Sequence, residues 1–510
     1  MLETPYKRVG EVNERDIGNM QIIQQKNQIS FINLMIFILI FSAIVVLFTG
    51  INSLNITIMS LIVTVLAQFI LVKINKSYDV LHPASMFAIC YCYAMVGNFV
   101  SEVFLGVGHT MISSQNLDST VYYCFSCLLA FLFASILTNI FLIKKTKCKI
   151  KNPDCYKEMH KKVLGILKPI TTILLTLFYA VLIVFHSKYI GQHYGAASTH
   201  DIVDIIFFML YFWSMLFIFF YIITSTIYHK KVFTPTSTIF GLLFMLYSVL
   251  LGKRFLAISI IFIFLFAFIL TTVLGYRKPV TIYKKIIGAI ISLVVIFSII
   301  VMGFLSRGEI ASNLSFSARM NQVKYNLNNT VMRNLVATHV LCIIPNYSIT
   351  SNIMDIIPLR EGYRYGMTYI NAVSELVPRI FTQDYNSNLA EWFKSYYNPS
   401  FEGGFGFSVE AEAYMNFGFL GFIVFAFWGW LLTQSYCNYK EKPYLPWNSF
   451  FYALFIITSI IGIRAHSAQI IKQMVYSYFL VEFIKIYIGY SRIKIKLPKK
   501  HKLLMKNENY

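Results

Sequence analysis

Charged residues are scarce in this sequence: they make up 13% of the 510 residues, whereas soluble globular chains carry about 25%. Acidic residues are the scarcer sign, with 23 Asp and Glu against 44 Lys and Arg, so the formal net charge is +21. Together with 57% hydrophobic residues, this leaves too little polar surface for a water-facing protein. Disorder, a coiled coil and a disulfide-stapled secreted module are excluded as well. The composition therefore predicts a multispanning membrane protein.

Motifs that bind nucleotides or metals are also missing. The sequence contains no Asp-x-Asp pair, Walker loop, dinucleotide fingerprint or zinc-ligand spacing. Cys124 and Cys127 have the spacing of a redox or metal pair, but they lie in an apolar run without a charged neighbour, which favours small buried thiols. No metal, cofactor or nucleotide is therefore expected. Nucleic-acid binding is the weaker interpretation of the positive charge, because no basic patch lies in a soluble domain.

Long apolar runs predict an all-α, polytopic fold with about twelve transmembrane helices, since a spanning helix needs about 20 apolar residues. Of the 44 basic residues, 31 fall on the side of the two termini, so the positive-inside rule predicts both termini in the cytoplasm. The predicted spans are 31–50, 54–73, 83–105, 120–143, 166–186, 203–228, 235–251, 254–275, 284–305, 408–434, 446–464 and 470–490. The resulting organisation is a cytoplasmic tail (1–30), helices one to nine (31–305), a large extracytoplasmic loop with short helices (306–405), helices ten to twelve (406–490) and a basic cytoplasmic tail (491–510).

The predicted outer loop is rich in arginine, whereas the cytoplasmic loops are dominated by lysine. Its basic residues are Arg307, Arg319, Lys324, Arg333, Arg360, Arg364, Arg379 and Lys394. The arginine fork matches phosphate and carboxylate oxygens, so the bias indicates an anionic group held at the membrane surface, although a solvated surface remains open. Arg254 and Arg464 lie at helix ends on the same side, where they either face a cavity or snorkel to headgroups.

The strongest local pattern is the polar start of the tenth predicted span. Ser408, Glu412 and Asn416 recur every four residues and so share one helix face, and Glu410 and Tyr414 begin a neighbouring stripe. Carboxylates in an apolar helix are costly unless protein or water surrounds them. Two interpretations stay open: a structural Glu–Arg pair that locks the loop onto the helices, and a functional carboxylate.

In combination, these residues resemble the bacterial oligosaccharide repeat-unit polymerases, the O-antigen/capsule polymerase family of membrane glycosyltransferases. The resemblance covers the architecture of the whole chain, and its motifs fall within about 252–470. They are Gly252-Lys253-Arg254, Tyr365-Gly366-Met367-Thr368-Tyr369, Val377-Pro378-Arg379, the run from Phe407-Ser408 through Glu412-Ala413-Tyr414-Met415-Asn416-Phe417-Gly418, and the helix end at Arg464. Glu412 matches the family pattern better than Glu410.

The resemblance implies a metal-free and nucleotide-free polymerase of undecaprenyl-diphosphate-linked repeat units on the outer face of the bacterial cytoplasmic membrane. Glu412, Arg254 and Arg379 are the implied catalytic residues, with Glu412 as base or acceptor-orienting group. Arg364 and Arg464 would also bind the diphosphate, and His466 is a candidate for proton transfer. The other implied substrate-binding residues are Tyr369, Ser408, Glu410, Tyr414 and Asn416. Membrane lipid, a flippase and a chain-length regulator are the expected partners.

Two alternatives stay open from the sequence. An O-antigen ligase would use the same donor with a different acceptor, and the two enzymes share most of the expected chemistry. A flippase or transporter of lipid-linked sugars is the weaker alternative. Transporters of this size often show two related halves, whereas here the halves do not match, because nearly all polar residues of the outer side lie between spans nine and ten.

Overall fold

The computed structural model describes residues 53–75, 79, 81–92, 117–143, 156–185, 202–250, 254–276, 321, 346–374, 376, 389–397, 406–463 and 465–489. Within these residues all regular structure is helical, so the predicted all-α class is confirmed there. The first and ninth predicted spans and both predicted tails lie outside the described residues, as do Arg379 and Arg464.

The helices are numbered in chain order. They are α1 (Ser53–Asn75), α2 (Pro83–Cys92), α3 (Leu117–Ile143), α4 (Lys157–Val184), α5 (Ile202–His229), α6 (Pro235–Leu250), α7 (Arg254–Val273), α8 (Asn346–Ile356), α9 (Met367–Ser374), α10 (Leu389–Tyr397), α11 (Val409–Phe417), a 3-10 turn (Gly418–Gly421), α12 (Phe422–Glu441), α13 (Pro446–Gly462) and α14 (Ser467–Tyr487). By length and composition alone, five stretches of the described residues could cross a membrane: Ile56–Asn75, Asp118–Leu142, Lys157–Val184, Ile206–His229 and Val409–Glu441. The last of them is interrupted at Gly418–Gly421. The count of about twelve spans and the orientation stay predictions.

The tenth predicted span is not one continuous helix. Gly418 has a φ of +58°, in the left-handed region that ends a helix, and the chain then turns back on itself. A β-carbon on Gly421 would lie 2.6 Å from the carbonyl oxygen of Ala413, and Val409 lines the same small cavity as Leu432. Helices α11 and α12 therefore form a hairpin. The prediction of one helix over 408–434 was wrong because an apolar run does not reveal a reversal inside it.

The hairpin contributes to both of two apolar cores. The first core combines α1, α2 and α3 with α8, α10, α11, the first part of α12 and the start of α14. The second combines α4 to α7 with the end of α12, α13 and the rest of α14. Helix α3 runs beside α12 and brings the Tyr123 hydroxyl within 3.4 Å of the carbonyl oxygen of Glu410. Every residue of α11 from Val409 to Asn416 is buried. This burial positions α11, with its two carboxylates, inside the bundle.

A polar cluster lies at the C-terminal end of α12. The carboxylate of Asp79 accepts hydrogen bonds from the Tyr436 hydroxyl at 2.8 Å and from the Lys440 ammonium at 2.9 Å. His82 precedes α2 as its N-cap and accepts a hydrogen bond from the backbone N–H of Ala84 at 3.2 Å. In the predicted topology this is the cytoplasmic end of the bundle. The Asp79–Lys440 pair joins the α1–α2 connection to α12.

Candidate functional site

The carboxylate of Glu412 lies at the meeting point of three elements. It is 1% exposed, and its two oxygens accept hydrogen bonds from α9 and α14. The Thr368 hydroxyl lies 2.8 Å from Oε1. Ser467 contributes twice, through its hydroxyl at 2.7 Å from Oε1 and through its backbone N–H at 2.6 Å from Oε2. A carboxylate surrounded by donors in this way has the hydrogen-bonding complement of its ionised form.

Backbone groups fix which atoms donate and which accept in the hydrogen bonds of Asn416 and Thr368. The N–H of Gly366 can only donate, so the oxygen that it contacts at 2.9 Å is the amide oxygen of Asn416. The amide nitrogen of Asn416 then donates to the Thr368 hydroxyl at 2.6 Å and to the carbonyl oxygen of Glu412 at 2.8 Å. Because Thr368 receives that hydrogen, it has its own hydrogen to donate to Glu412. One connected network thus holds Asn416, Thr368 and Glu412.

A backbone clip attaches the chain before α9 to the C-terminal end of α11. The N–H of Arg364 donates to the carbonyl of Met415 at 3.0 Å, and the N–H of Tyr365 donates to the carbonyl of Asn416 at 3.1 Å. These carbonyls have no partner within the helix because they lie in its last turn. Tyr365 takes a φ of +47°, a left-handed conformation that costs a non-glycine residue about 1–2 kcal/mol. The two hydrogen bonds of this clip therefore offset the conformational cost at Tyr365.

The sequence prediction for the polar face of α11 is confirmed only in part. Glu412 and Asn416 do lie on one face of the helix, since the side chains of both are hydrogen-bonded to the Thr368 hydroxyl. Ser408 instead caps the helix: its hydroxyl accepts from the N–H of Ala411 at 3.1 Å and lies 3.5 Å from the Thr350 hydroxyl. A serine at this position satisfies one of the free N–H groups of the first turn, so Ser408 ties α8 to the start of α11.

Glu410 lies on the other side of α11 from the Glu412 network. Its side chain is fully buried, and it is close enough to Cys124 and Cys127 of α3 to interact electrostatically with both thiols. The two acids of the motif thus belong to different surroundings, one facing α3 and the other facing α9 and α14.

Aromatic rings pack on both sides of α11. Tyr369 stacks on Phe417 with ring centroids 6.2 Å apart. Burial raises the pKa of Tyr369 well above its ordinary value, with a further contribution from the Glu412 charge, so the phenol stays protonated. Tyr414 packs edge-on against Tyr123 at 5.3 Å. Tyr369 therefore lies beside the network, whereas Tyr414 faces α3, on the side of α11 that carries Glu410.

Of the four arginines predicted to bind the diphosphate, only Arg364 has a described side chain. Arg364 lies over the ring of Trp392, with 4.6 Å from its guanidinium carbon to the ring centroid, and 3.4 Å from the Glu361 carboxylate. Arg254 begins α7, but its side chain is outside the described residues. His466 is buried directly before Ser467, as the N-cap of α14.

Two residues of the network have no role in the sequence analysis. Thr368 appears there only inside a quoted motif and Ser467 does not appear, because each is a small hydroxyl residue among apolar neighbours. A polar residue at the very start of an apolar helix, as at Ser467, is the one available signal, because helix N-termini attract carboxylates. Among the described residues, no group of three or more His, Cys, Asp or Glu side chains lies close enough together to hold a metal ion.

Comparison with known proteins gives one match. The family model of O-antigen polysaccharide polymerase Wzy matches residues 29–496, which is nearly the whole chain and includes the whole Glu412 network. No curated protein and no solved structure matches the chain significantly.

Proposed function

The chain belongs to the O-antigen polysaccharide polymerase Wzy family, and from this membership we propose that it polymerises undecaprenyl-diphosphate-linked oligosaccharide repeat units. The proposed site of reaction is the outer face of the bacterial cytoplasmic membrane. The growing glycan would be transferred from its lipid carrier to the non-reducing end of the next lipid-linked repeat unit. Neither a metal nor a nucleotide takes part in this proposal, and a flippase and a chain-length regulator are proposed partners.

Two bonds change in the proposed reaction. The bond between the anomeric carbon of the growing glycan and the lipid diphosphate breaks, and the same carbon bonds to a hydroxyl oxygen of the acceptor sugar. The lipid diphosphate leaves with the electron pair, while the acceptor hydroxyl gives up its proton. The reaction therefore needs cations near the departing diphosphate and a hydrogen-bond acceptor near the attacking hydroxyl.

Arginine side chains are proposed to meet the first need. Arg364 supports this role, since its side chain is 29% exposed and its backbone is clipped to the C-terminal end of α11. Stacking on Trp392 covers one face of the guanidinium and the Glu361 carboxylate contacts one of its nitrogens, so its remaining N–H groups are proposed to bind phosphate oxygens. Arg254, Arg379 and Arg464 are proposed to complete the diphosphate site.

Glu412 is proposed to meet the second need, and the geometry favours orientation over direct proton removal. Its two oxygens already accept three hydrogen bonds, so its charge polarises the hydroxyls of Thr368 and Ser467. His466, directly before Ser467, is the proposed proton acceptor. Tyr369, Tyr414 and Asn416 would shape the adjoining sugar pocket, with Ser408 and Glu410 supporting its inner end.

The observation that carries this proposal is the match of the polymerase family over nearly the whole chain, with the buried Glu412 network inside it. The test is reconstitution of the purified protein in liposomes with lipid-linked single repeat units and no nucleotide. We expect a ladder of longer glycans. Failure to extend the glycan, or extension only with added nucleotide, would contradict the proposed reaction.

The role of Glu412 is tested in the same assay. Glu412→Gln should lower the rate at least about tenfold, because a neutral amide replaces the charged acceptor of hydrogen bonds that contribute about 1.5–3 kcal/mol each. Glu441→Gln is the matched control, because Glu441 lies at the other end of the same hairpin with its side chain 43% exposed. Equal rates for the two variants would remove Glu412 from the mechanism.

The acceptor is tested in a deletion strain. Single repeat units on the final carrier would indicate a lost polymerase, as proposed. Long chains that remain unattached would instead indicate a lost ligase.

A further inference from the structure

Three contacts trace the path of the chain from Tyr365 to Leu376. Tyr365 bonds to Asn416 at the outer end of α11. Thr368, at the start of α9, reaches Glu412, which itself bonds to Ser467 at the start of α14. The carbonyl of Leu376 then accepts a hydrogen bond from the Tyr476 hydroxyl. Helix α9 therefore runs along α14 in the same direction.

The same contacts give the depth of this path. Tyr476 is nine residues after Ser467 in an α-helix, so the path descends about 13 Å along α14 at 1.5 Å per residue. Another nine residues beyond Tyr476, Lys485 lies over Trp447 near the opposite end of the bundle. The ring of Tyr476 also packs against Trp213, close to the middle of α5. Leu376 thus lies near the midplane of the bundle.

One face of α9 is apolar and exposed at this depth. Met367, Ile370 and Val373 are spaced three residues apart and are 51%, 62% and 55% exposed, whereas Thr368 and Ala372 are buried against the bundle. Helix α14, along which α9 runs, also carries exposed large apolar side chains, at Tyr478, Phe479 and Phe483. Spanning helices turn such side chains toward lipid. Tyr365, 78% exposed at the top of the path, has the chemistry of the aromatic residues that mark the membrane interface.

We propose that residues 366–374 and Leu376 belong to a re-entrant segment, in which α9 enters the outer leaflet and the stripe of Met367, Ile370 and Val373 contacts the hydrocarbon chains of bilayer lipid. Non-helical backbone at membrane depth must be satisfied by protein, and the Tyr476 hydroxyl does this for Leu376. Helix α9 then separates the bilayer from the Glu412 network. This goes beyond the proposed reaction, and it revises the expectation that all of 306–405 is extramembrane.

The test is a spin label placed at single positions of the full chain in liposomes. Ile370→Cys and Val373→Cys report on the stripe, and both substitutions shorten exposed side chains. Gly362→Cys is the control, because a β-carbon there meets nothing within 4 Å and the position precedes the proposed entry at Tyr365. The unsubstituted chain, with its eight cysteines, is labelled in parallel to provide the background.

Collisions with molecular oxygen and with a water-soluble nickel chelate distinguish three environments. We expect labels at 370 and 373 to show high oxygen accessibility and a loss of nickel-chelate accessibility relative to the label at 362. Nickel-chelate accessibility equal to that at 362 would place α9 at the aqueous surface. Low accessibility to both reagents would show that another protein segment or a second copy covers the stripe. Either result overturns the proposal, and neither bears on glycan extension.

Discussion

The backbone N–H of Ser467 lies 2.6 Å from Oε2 of Glu412, while the hydroxyl of the same serine lies 2.7 Å from Oε1. The first residue of α14 thus donates a hydrogen bond to each carboxylate oxygen of a residue 55 positions earlier. A helix N-terminus carries a partial positive charge and free N–H groups, so the pair is electrostatically matched. It joins the α11–α12 hairpin to the last described helix.

The two donors of Ser467 can be removed one at a time. Ser467→Ala removes the hydroxyl, and Ser467→Pro also removes the backbone N–H. Proline is favoured at the first position of a helix, and His466 has the extended conformation, with φ −86° and ψ 162°, that a following proline requires. A hydrogen bond to a charged group contributes about 1.5–3 kcal/mol. We therefore expect Ser467→Ala to slow glycan extension about tenfold and Ser467→Pro to slow it further.

The measurement is the rate of chain extension in liposomes together with the apparent melting temperature in detergent. Thr172→Ala serves as a control, because that exposed hydroxyl bonds only to its own helix, at the carbonyl of Lys168. Full activity in Ser467→Pro, with an unchanged melting temperature, would mean that Glu412 does not need these donors.

Thr368 should act together with Asn416 rather than independently. Thr368→Val removes the donor to Glu412 and the acceptor of Asn416 in one step, whereas Thr368→Ser keeps both. We expect Thr368→Val to lower extension strongly and Thr368→Ser to retain most of it. The combined Thr368→Val and Asn416→Ala variant should lose less than the two single losses predict, by about 0.5–3 kcal/mol, as members of one network do.

The comparison is a double-mutant cycle on extension rates, with expression in the membrane as the folding control. Additive losses would show that the hydrogen bonds at 2.6 and 2.8 Å do not form a working unit.

Local sequence spacing could predict part of this site. The four-residue repeat correctly brought Glu412 and Asn416 to one helix face, because that relationship depends only on helical geometry. The contacts to Thr368 and Ser467 join residues 44 and 55 positions apart, and no local pattern encodes such packing. Nor did hydropathy reveal the hairpin at Gly418, since both of its arms are apolar.

Close packing at the hairpin gives a prediction about stability. A β-carbon on Gly421 would lie 2.3 Å from the Tyr123 hydroxyl oxygen and 2.6 Å from the carbonyl oxygen of Ala413, and the backbone cannot move away without opening the hairpin. Gly421→Ala should therefore lower the free energy of unfolding by an amount typical of overpacking, about 1–3 kcal/mol, and lower the apparent melting temperature with it.

Gly165→Ala in α4 is the matched control, because nothing lies within 4 Å of the added carbon. Alanine there should stabilise the helix by up to about 1 kcal/mol. Equal melting temperatures for the two variants would contradict the close approach of α11 and α12.

The cluster around His82 predicts a dependence of stability on pH. Burial lowers the pKa of His82 from 6.5 to about 4, against the opposing effect of the Asp79 carboxylate. Burial also raises the pKa of Asp79, but the Lys440 charge and the hydrogen bonds to its carboxylate outweigh it and hold that pKa below its usual value. Asp79 therefore stays ionised while His82 stays neutral.

Because His82 takes up a proton at about pH 6.5 when unfolded and only near pH 4 when folded, the unfolded state binds more protons in between. The free energy of unfolding should therefore be constant above about pH 6.5 and fall as the pH drops toward 4, by about 3 kcal/mol in total. His82→Asn keeps an N-cap acceptor for Ala84 but cannot titrate. Its apparent melting temperature should fall less than that of the wild-type chain between pH 7.5 and 4.5. Parallel curves for the two proteins would show that protonation of another group controls the acid sensitivity of this end of the bundle.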